Sequence, residues 1–289
     1  MVVDTNTSFI PREDLPGLGK DYGLVFIAEN EKKIFATLDG QNVSVLKKQE
    51  YDSFRNLYFD ETNQFSSHQE ELYYSLGTSL FGLKKGLIKK FENNVKGITR
   101  FKTKLLAGQS EYFILCADDN SAVIDGFEYS RDDLVATGGN LFSMNNYRII
   151  NSLNNKVVHE TIDGGINCFV GLEGKLYFSD SYSIIEGKSG SSRYDYNVSC
   201  ASKKHNDLKV FDGKKVSDFA ELEFRPYSMG VVNDSSSGNN FLFGPTNEKG
   251  MIVYNLDKNS FASILETSGI SEISSIAQVP ISFLKSCLK

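Results

Sequence analysis

The chain has 289 residues, of which 40% are hydrophobic, so it can bury a large core in one or two domains. Its formal net charge of −6 argues against a surface built to bind nucleic acid. The four cysteines, Cys116, Cys168, Cys200 and Cys287, lie far apart and form no C-x-x-C pair. This spacing excludes a disulfide scaffold and favours free, buried thiols in a reducing compartment.

The amino-terminal residues lack the features of an export signal. Residues 1–6 contain neither a basic region nor an apolar run, and no apolar stretch approaches the ~20 residues of a membrane span. The sequence therefore predicts a cytoplasmic protein with a single domain over residues 1–289, in which residues 1–22 form an amino-terminal arm or a closing strand.

Short apolar runs bounded by Gly, Asn, Asp or Ser recur along the chain, for example at residues 24–27, 112–115 and 252–254. Runs of this length, rich in β-branched and aromatic residues, predict strands. Because their apolar residues are continuous rather than alternating, both faces of these strands are predicted to be covered. Four Asp-Gly pairs are suited to the tight turns between strands: residues 39–40, 125–126, 163–164 and 212–213.

A repeat is visible in the sequence. Residues 141–150 match residues 176–185 without a gap at a spacing of 35, and residues 72–81 carry the same pattern about three such periods before the second copy. A fixed period of this size indicates a repeated supersecondary unit. Units are predicted to start near Leu24, Leu72, Leu106, Leu141, Leu176, Leu208 and Phe241.

Helical patterns are scarce. The best lies at residues 81–94, where Leu83, Leu87, Ile88 and Phe91 fall at helical spacing, although the repeat assigns its first residues to a strand. A weaker helical pattern at residues 49–56 is interpreted as an insertion between units. The partly apolar tail, residues 281–289, is predicted to pair back onto the first unit.

Together, the short strands and the 35-residue period resemble the β-propeller superfamily. Residues 242–245 and 251–261 look like a kelch-type blade, with Phe261 where kelch blades usually carry Trp, and residues 208–216 have a similar strand-turn-strand pattern. The Trp-Asp dipeptide of WD40 blades is missing. The resemblance implies an all-β propeller of six or seven short-stranded blades. The alternative fold is a β-sandwich, which explains the strands but not the period.

No motif nominates catalytic, cofactor-binding or metal-binding residues. His68, His159 and His205 are isolated from other metal ligands along the sequence. Residues 187–189 (Gly-Lys-Ser) lack the earlier glycine of a phosphate-binding loop, and no Gly-x-Ser-x-Gly elbow occurs. The sequence therefore predicts no cofactor.

Charge is distributed unevenly along the chain. Residues 84–104 contain eight basic residues and one acidic residue, whereas residues 111–133 contain seven acidic residues and one basic residue. If these segments share a surface, they form a dipolar face that docks a partner of complementary charge. The alternatives are two solvated faces that pair with each other, and nucleic-acid binding with Phe91 and Phe101 as stacking residues. The predicted partner contacts are Lys84, Lys85, Lys89, Lys90, Arg100 and Lys102.

These observations favour a non-catalytic protein–protein interaction platform, such as a propeller scaffold or adaptor. Two alternatives remain open: a propeller hydrolase or lyase that uses the central channel, and a structural subunit of a larger assembly such as a virion. Protein partners are expected, nucleic acid and membranes are not, and the sequence leaves a small-molecule ligand undecided.

Overall fold

A computed structural model describes residues 21–28, 32–40, 42–49, 54–64, 67–102, 104–109, 114–116, 122–124, 133–144, 147–161, 164–185, 202–234, 238–245, 250–255, 260–265, 269–270 and 273–288. These residues form six antiparallel sheets of four strands each, followed by one short helix. We number the sheets 1 to 6 in chain order.

Sheet 1 combines both ends of the chain, and the other sheets are built from consecutive strands. The order in sheet 1 is β24 (Ile273–Pro280), β1 (Tyr22–Ala28), β2 (Lys33–Thr37) and β3 (Ser44–Lys48). Sheet 2 contains β4 (Phe54–Gln64), β5 (Ser67–Leu76), β6 (Ser79–Gly82) and β7 (Gly86–Lys90). Sheet 3 contains β8 (Val95–Phe101), β9 (Lys104–Gln109), β10 (Ile114–Cys116) and β11 (Ala122–Ile124).

The remaining three sheets follow the same plan. Sheet 4 contains β12 (Asp133–Thr137), β13 (Asn140–Met144), β14 (Arg148–Asn151) and β15 (Lys156–Glu160). Sheet 5 contains β16 (Gly164–Leu172), β17 (Lys175–Ile185), β18 (Ser202–Phe211) and β19 (Val216–Leu222). Sheet 6 contains β20 (Pro226–Asp234), β21 (Gly238–Pro245), β22 (Met251–Asn255) and β23 (Ser260–Ile264), and the helix α1 spans Ile281–Cys287.

The sheets are arranged in a ring. The innermost strands β24, β4, β8, β12, β16 and β20 contact one another in that order, and β20 contacts β24 in turn. Each sheet therefore covers the apolar faces of its neighbours, as the continuous apolar runs require. The predicted all-β propeller is confirmed, and the β-sandwich alternative does not describe this chain.

The two chain ends close the ring. β24 pairs antiparallel with β1, with Phe26 opposite Ile276, so the carboxyl-terminal segment supplies the innermost strand of a sheet whose other strands are amino-terminal. Residues 281–289 were predicted to pair with the first unit. The strand that pairs is the preceding segment, β24, whereas residues 281–287 form α1. Phe283 and Leu284 of α1 pack into the core between sheets 1 and 2.

The predicted repeat marks the second strand of each sheet. Six of the seven predicted unit starts lie in these second strands and are fully buried: Leu24, Leu72, Leu106, Leu141, Leu176 and Phe241. The seventh, Leu208, is also buried but lies in β18, the third strand of sheet 5, so it does not start a unit. The repeat is strong because the second strand has the same buried environment in every sheet.

The helical pattern at residues 81–94 does not form a helix, and the strand that the repeat assigns to its first residues is present as β6. The segment contains the end of β6, a turn and β7. Gly86 has a φ of 76°, which a tight turn uses and a right-handed helix excludes. The Glu71 carboxylate holds the turn, since its Oε1 accepts hydrogen bonds from the backbone N–H groups of Leu72 and Lys84 at 3.2 and 3.0 Å.

Several predictions fall partly outside the described residues. Of the second helical candidate, residues 50–53 lie outside and residues 54–56 belong to β4. Of the predicted arm, residues 1–20 lie outside, and β1 begins at Tyr22. Most of the acidic segment 111–133 also lies outside, so the predicted dipolar face is untested.

Outer edges of the sheets are irregular. In five sheets a β-bulge interrupts the pairing of the third strand with the fourth. The extra residue lies in the fourth strand of each of these sheets: Leu46, Ile88, Val123, Val158 and Phe219. In sheet 6 the register of β22 and β23 is continuous. Bulges at outer edges hinder sheet-to-sheet association between molecules.

Neighbouring sheets approach each other closely at two glycines. A Cβ at Gly97 in β8 would lie 2.6 Å from the backbone nitrogen of Leu134 in β12, and one at Gly244 in β21 would lie 2.6 Å from the backbone oxygen of Ile273 in β24. Backbone atoms at this distance cannot yield without moving a whole strand. The absence of a side chain at these positions therefore sets the spacing between sheets.

We expect Gly97→Ala to lower the free energy of unfolding by about 1–3 kcal/mol, because the added methyl group overpacks the contact between sheets 3 and 4. Gly108 is a matched control: it lies opposite Gly97 in register, yet a Cβ there would meet no atom nearer than 3.8 Å. Gly108→Ala should change the stability by less than about 1 kcal/mol. Urea denaturation of both variants measures the difference, and equal losses would contradict this account.

Candidate functional site

The six innermost strands enclose a central channel. Its cavity has a volume of about 470 Å³, within the range of about 300–1,000 Å³ that small-molecule sites occupy. The polar residues that line it are Asn56, Tyr58, Thr99, Asp133, Cys168, Tyr227, Ser228, Ser274, Ser275 and Gln278. Among the described lining residues, Asp133 is the one with a charged side chain.

One end of the channel is marked by β-bulges. In five sheets the innermost strand has an extra residue near its start: Asn56, Lys96, Asn167, Tyr227 and Ser274. In sheet 4 the register is continuous, and β12 begins with Asp133. We call these six polar residues the mouth residues. Bulges redirect side chains and are frequent beside functional sites.

The mouth residues do not all face the cavity. Asn56, Asp133, Tyr227 and Ser274 line it. Asn56 has a φ of 52°, a left-handed conformation that Asn adopts more readily than most residues. Its Nδ2 donates to Ser75 Oγ at 3.0 Å and to the backbone oxygen of Val95 at 3.2 Å, so the amide is held in one orientation.

Other lining groups join neighbouring sheets. Three hydrogen bonds cross from one sheet to the next: Leu57 N–H to Ser275 Oγ (2.9 Å), Ser228 Oγ–H to the Ile273 oxygen (2.7 Å), and Ala136 N–H to Thr99 Oγ1 (3.3 Å). These side chains satisfy backbone groups that would otherwise lack a partner within their own sheet. Much of the polarity of the channel wall therefore stabilises the ring.

Cys168 in β16 lines the channel and belongs to the core between sheets 5 and 6. Burial raises the pKa of its thiol far above the usual range, and the nearby carboxylate of Asp133 raises it further. Because the thiolate is the nucleophilic form, Cys168 is a poor nucleophile at neutral pH.

We expect iodoacetamide at pH 8 to modify Cys287, which is half-buried in α1, while Cys168 stays unmodified in the folded protein. Peptide mass spectrometry after timed labelling measures both rates. Denaturant should make Cys168 reactive, which serves as the positive control. Labelling of native Cys168 at the rate of Cys287 would contradict the assignment of a buried, protonated thiol.

The structure brings four of the predicted partner contacts together. Lys84 and Lys85 lie in the turn between β6 and β7, and Lys89 and Lys90 lie on β7, the outermost strand of sheet 2. We call these four residues the lysine strip. Leu87, between the two pairs, is 58% exposed. An exposed apolar side chain therefore lies between the two pairs of lysines along the chain.

Aromatic rings support two of these lysines. The Nζ of Lys84 lies 3.9 Å from the centroid of the Phe283 ring of α1, and the Nζ of Lys89 lies 5.3 Å from the centroid of Phe91. Cation–π contacts of this kind restrict the side chain without removing its charge. The closing helix thus helps to order the strip.

The other two predicted contacts lie elsewhere. Lys102 is in the turn after β8, with its Nζ 5.3 Å from the centroid of Phe101. Arg100 is on β8, an innermost strand, and its side chain is 14% exposed. Its guanidinium forms an ion pair with Asp60 of β4, in which Nε donates to Oδ2 at 2.7 Å.

The Asp60–Arg100 pair is a buried link between sheets 2 and 3. The Asp60 side chain is 4% exposed. Tyr58, two residues before it, lies in the same environment: burial and the Asp60 carboxylate raise the pKa of Tyr58 to about 12. The phenol therefore stays protonated throughout the physiological pH range.

Asp60→Ala should lower the free energy of unfolding by about 3–5 kcal/mol, because it leaves the Arg100 guanidinium buried without its counter-ion. Glu160→Ala is the control, since the Arg148–Glu160 pair has side chains 34% and 48% exposed and should contribute at most about 1 kcal/mol. Thermal and urea denaturation measure both. A loss at Asp60 no larger than that at Glu160 would refute the assigned role of the buried pair.

Sequence reasoning missed two polar contacts between sheets. His159, isolated in the sequence, contacts Asp180 across the boundary between sheets 4 and 5, with 2.7 Å between Nε2 and Oδ2. Arg225, just before β20, donates from Nε to Oδ1 of Asn167 at 3.1 Å, and Asn167 in turn donates to Ser181 Oγ. The partners lie 14 to 58 residues apart, so no local spacing could have revealed them.

Two features are missing from the described residues. No three His, Cys, Asp or Glu side chains of this part of the chain converge as a metal ion would require. In the same part of the chain, no helix has both the length and the apolar character needed to cross a membrane.

Comparisons with known proteins identify the fold. No family model matches the chain, and no curated protein matches it. A chain in the crystal structure of a nidogen–laminin complex is similar, with a TM-score of 0.61 and 12% identity over 89% of this chain and 98% of that one. A putative 6-phosphogluconolactonase from Bacteroides fragilis has a TM-score of 0.51 and 10% identity over 90% of this chain and 98% of that one. At these identities the likeness shows similarity of fold alone.

Proposed function

We propose that this protein is a non-catalytic interaction platform that docks an acidic protein segment on the lysine strip. The observation that carries the proposal is the composition of residues 83–90, which contain four lysines, no carboxylate and the exposed Leu87. An apolar centre within a charged rim is the usual anatomy of a protein interface. The charge steers the partner, and Leu87 supplies a contact that excludes water.

Order in the strip favours binding. The backbone of Lys84 is held by Glu71 and its ammonium group by Phe283. A surface that is already ordered loses less conformational entropy when a partner binds. Lys102 and Arg100 have no place in the strip, and we assign Arg100 to the link between sheets 2 and 3.

The fold of the molecule suits the role of an interaction platform. We propose that its six sheets are the full set of blades, within one domain, and that this rigid ring presents the strip. The described channel lining combines one carboxylate with no His, Lys or Arg, which favours a platform over acid–base catalysis in the channel. A chain of similar fold occurs in a nidogen–laminin complex, which is in keeping with a protein partner. The free thiols of Cys168 and Cys287 support action in the cytoplasm.

The test is charge reversal in the strip. The triple variant Lys85→Glu, Lys89→Glu, Lys90→Glu spares Lys84, whose ring contact belongs to the packing of α1. The control is Lys47→Glu with Lys48→Glu on β3, an outermost strand with a similar pattern of exposure. Quantitative affinity purification with the wild type and both variants identifies partners that depend on the strip.

We expect at least one stoichiometric partner to be lost from the triple variant and retained by the control. Its association with the wild type should weaken as salt rises from about 50 to 200 mM, because screening shortens the range of the attraction. Partner sets that are identical for all three proteins would remove the lysine strip from the account.

A further inference from the structure

We propose that residues 13–18 of this chain dock on the lysine strip and occupy it until a partner displaces them. The inference rests on the proposed function, since it names what covers the same surface in the free protein. Three observations carry it: the place at which the amino-terminal segment joins the described structure, the charge of the strip, and the composition of residues 13–18.

The amino-terminal segment joins the described structure beside the strip. The backbone oxygen of Asp21 accepts a hydrogen bond from the N–H group of Ile281, the first residue of α1, at 2.8 Å. Phe283 lies two residues further along α1, about 3 Å along the helix axis. The centroid of its ring is 3.9 Å from the Nζ of Lys84. Asp21 and the strip therefore contact the same turn of one helix, and the residues that precede Asp21 leave the described structure close to the lysines.

The distance along the chain is long enough for residues 13–18 to reach every lysine of the strip. Asp14 and Asp21 are seven residues apart, and an extended chain of that length spans up to about 23 Å. The strand β7, which carries the far end of the strip, has five residues and a length of roughly 17 Å. Gly17 and Gly19 allow the chain to bend between its attachment and the strip.

The strip attracts a negatively charged segment. With the groups around it, this surface contains five lysines and three carboxylates: Lys84, Lys85, Lys89, Lys90 and Lys285 against Asp21, Glu71 and Glu92. Glu71 is buried and already accepts two backbone hydrogen bonds. Lys85 and Lys89 take part in interactions within the molecule, which leave the excess of positive charge unchanged.

Residues 13–18 combine the charge and the polarity that the strip requires. Glu13 and Asp14 are adjacent carboxylates, Leu15 and Leu18 are apolar, and the segment contains no basic residue. The two nearest basic residues flank it: Arg12 and Lys20. The segment is therefore acidic and apolar, like the partner segment that the strip is proposed to dock.

Apolar side chains of the described surface await a contact of this kind. Leu87 on β7 is 58% exposed, and Leu288, directly after α1, is 38% exposed. A leucine of the segment that covered either of them would remove apolar surface from water while the carboxylates contact the lysines. The docked segment thus satisfies both parts of the surface at once.

The tether makes even a weak contact effective. A short linker holds its segment at an effective concentration in the millimolar range, so a contact with a Kd of about 1 mM fills the strip about half of the time. An external partner then binds with an apparent affinity that is reduced by the fraction of the strip already filled. The segment consequently selects for partners that are more acidic than itself.

Carbodiimide cross-linking of the intact wild-type protein tests the contact, because it joins carboxylates and ammonium groups that touch. Cleavage after Arg12 and Lys20 yields residues 13–20 as one tryptic peptide, so mass spectrometry can locate its links. We expect links to the lysine strip several-fold more often than to Lys47 and Lys48, the exposed pair on β3. The links should fade as salt rises from about 50 to 500 mM.

A mixture of unlabelled and ¹⁵N-labelled protein separates links within one chain from links between copies. Links within one chain support the inference. The absence of links between residues 13–20 and the strip, or links between copies alone, would overturn it.

Titration with deca-glutamate tests whether the docked segment competes for the strip. The double variant Glu13→Gln, Asp14→Asn should bind deca-glutamate several-fold more tightly than the wild type, because it vacates the strip. The control Asp4→Asn with Glu223→Gln, an exposed residue after β19, removes the same charge outside the segment and should bind as the wild type does. Equal affinity of all three proteins would contradict the competition.

These measurements separate the inference from the proposed function. If the links form within one chain but deca-glutamate binds none of the proteins, the docked segment stands and the proposed function fails. If the links do not form but the triple lysine variant loses its partner, the proposed function stands and this inference fails.

Discussion

Pairing between β24 and β1 is the interaction on which the whole molecule depends. The strand from the carboxyl end fills the innermost place in sheet 1 and contacts the innermost strands of sheets 2 and 6. A four-stranded sheet with two apolar faces is stable only where neighbours cover both faces. Without β24, sheets 6 and 2 would each lose a neighbour along the channel. Hydrogen bonds across the chain ends therefore hold together a core to which every sheet contributes.

Both candidate surfaces follow from this closure. The channel exists because six innermost strands meet around one axis, and its mouth is shaped where those strands begin with bulges. The lysine strip lies at the outside of sheet 2 but is ordered by Phe283 of α1, the helix that follows β24. One segment of the chain thus closes the ring, contributes Ser274 to the mouth and supports Lys84 at the edge.

The repeat and the propeller could be predicted because second strands share one environment. Leu72, Leu141 and Leu176 lie in the second strands of three different sheets, and all three are fully buried. A common environment selects a common sequence. Leu208 was wrongly predicted to start a unit, because a buried third strand has the same local sequence pattern as a second strand. Residues 81–94 show a helical pattern because Leu83, Leu87 and Phe91 recur at helical spacing, but the turn at Gly86 interrupts it. No local sequence pattern predicted the channel, the bulges or the Asp60–Arg100 pair, because each of them joins residues that are distant in sequence.

Native-state hydrogen exchange of the intact protein tests the closure most directly. If the ring is one cooperative unit, amides of β24 and β1 exchange only through global unfolding, with the same free energy as the most protected amides of the other sheets. We expect this equality for residues 24–27 and their partners in β24. Exchange of β24 at a free energy several kcal/mol lower, while the other five sheets remain protected, would show that the ring persists without its closing strand and would contradict the account.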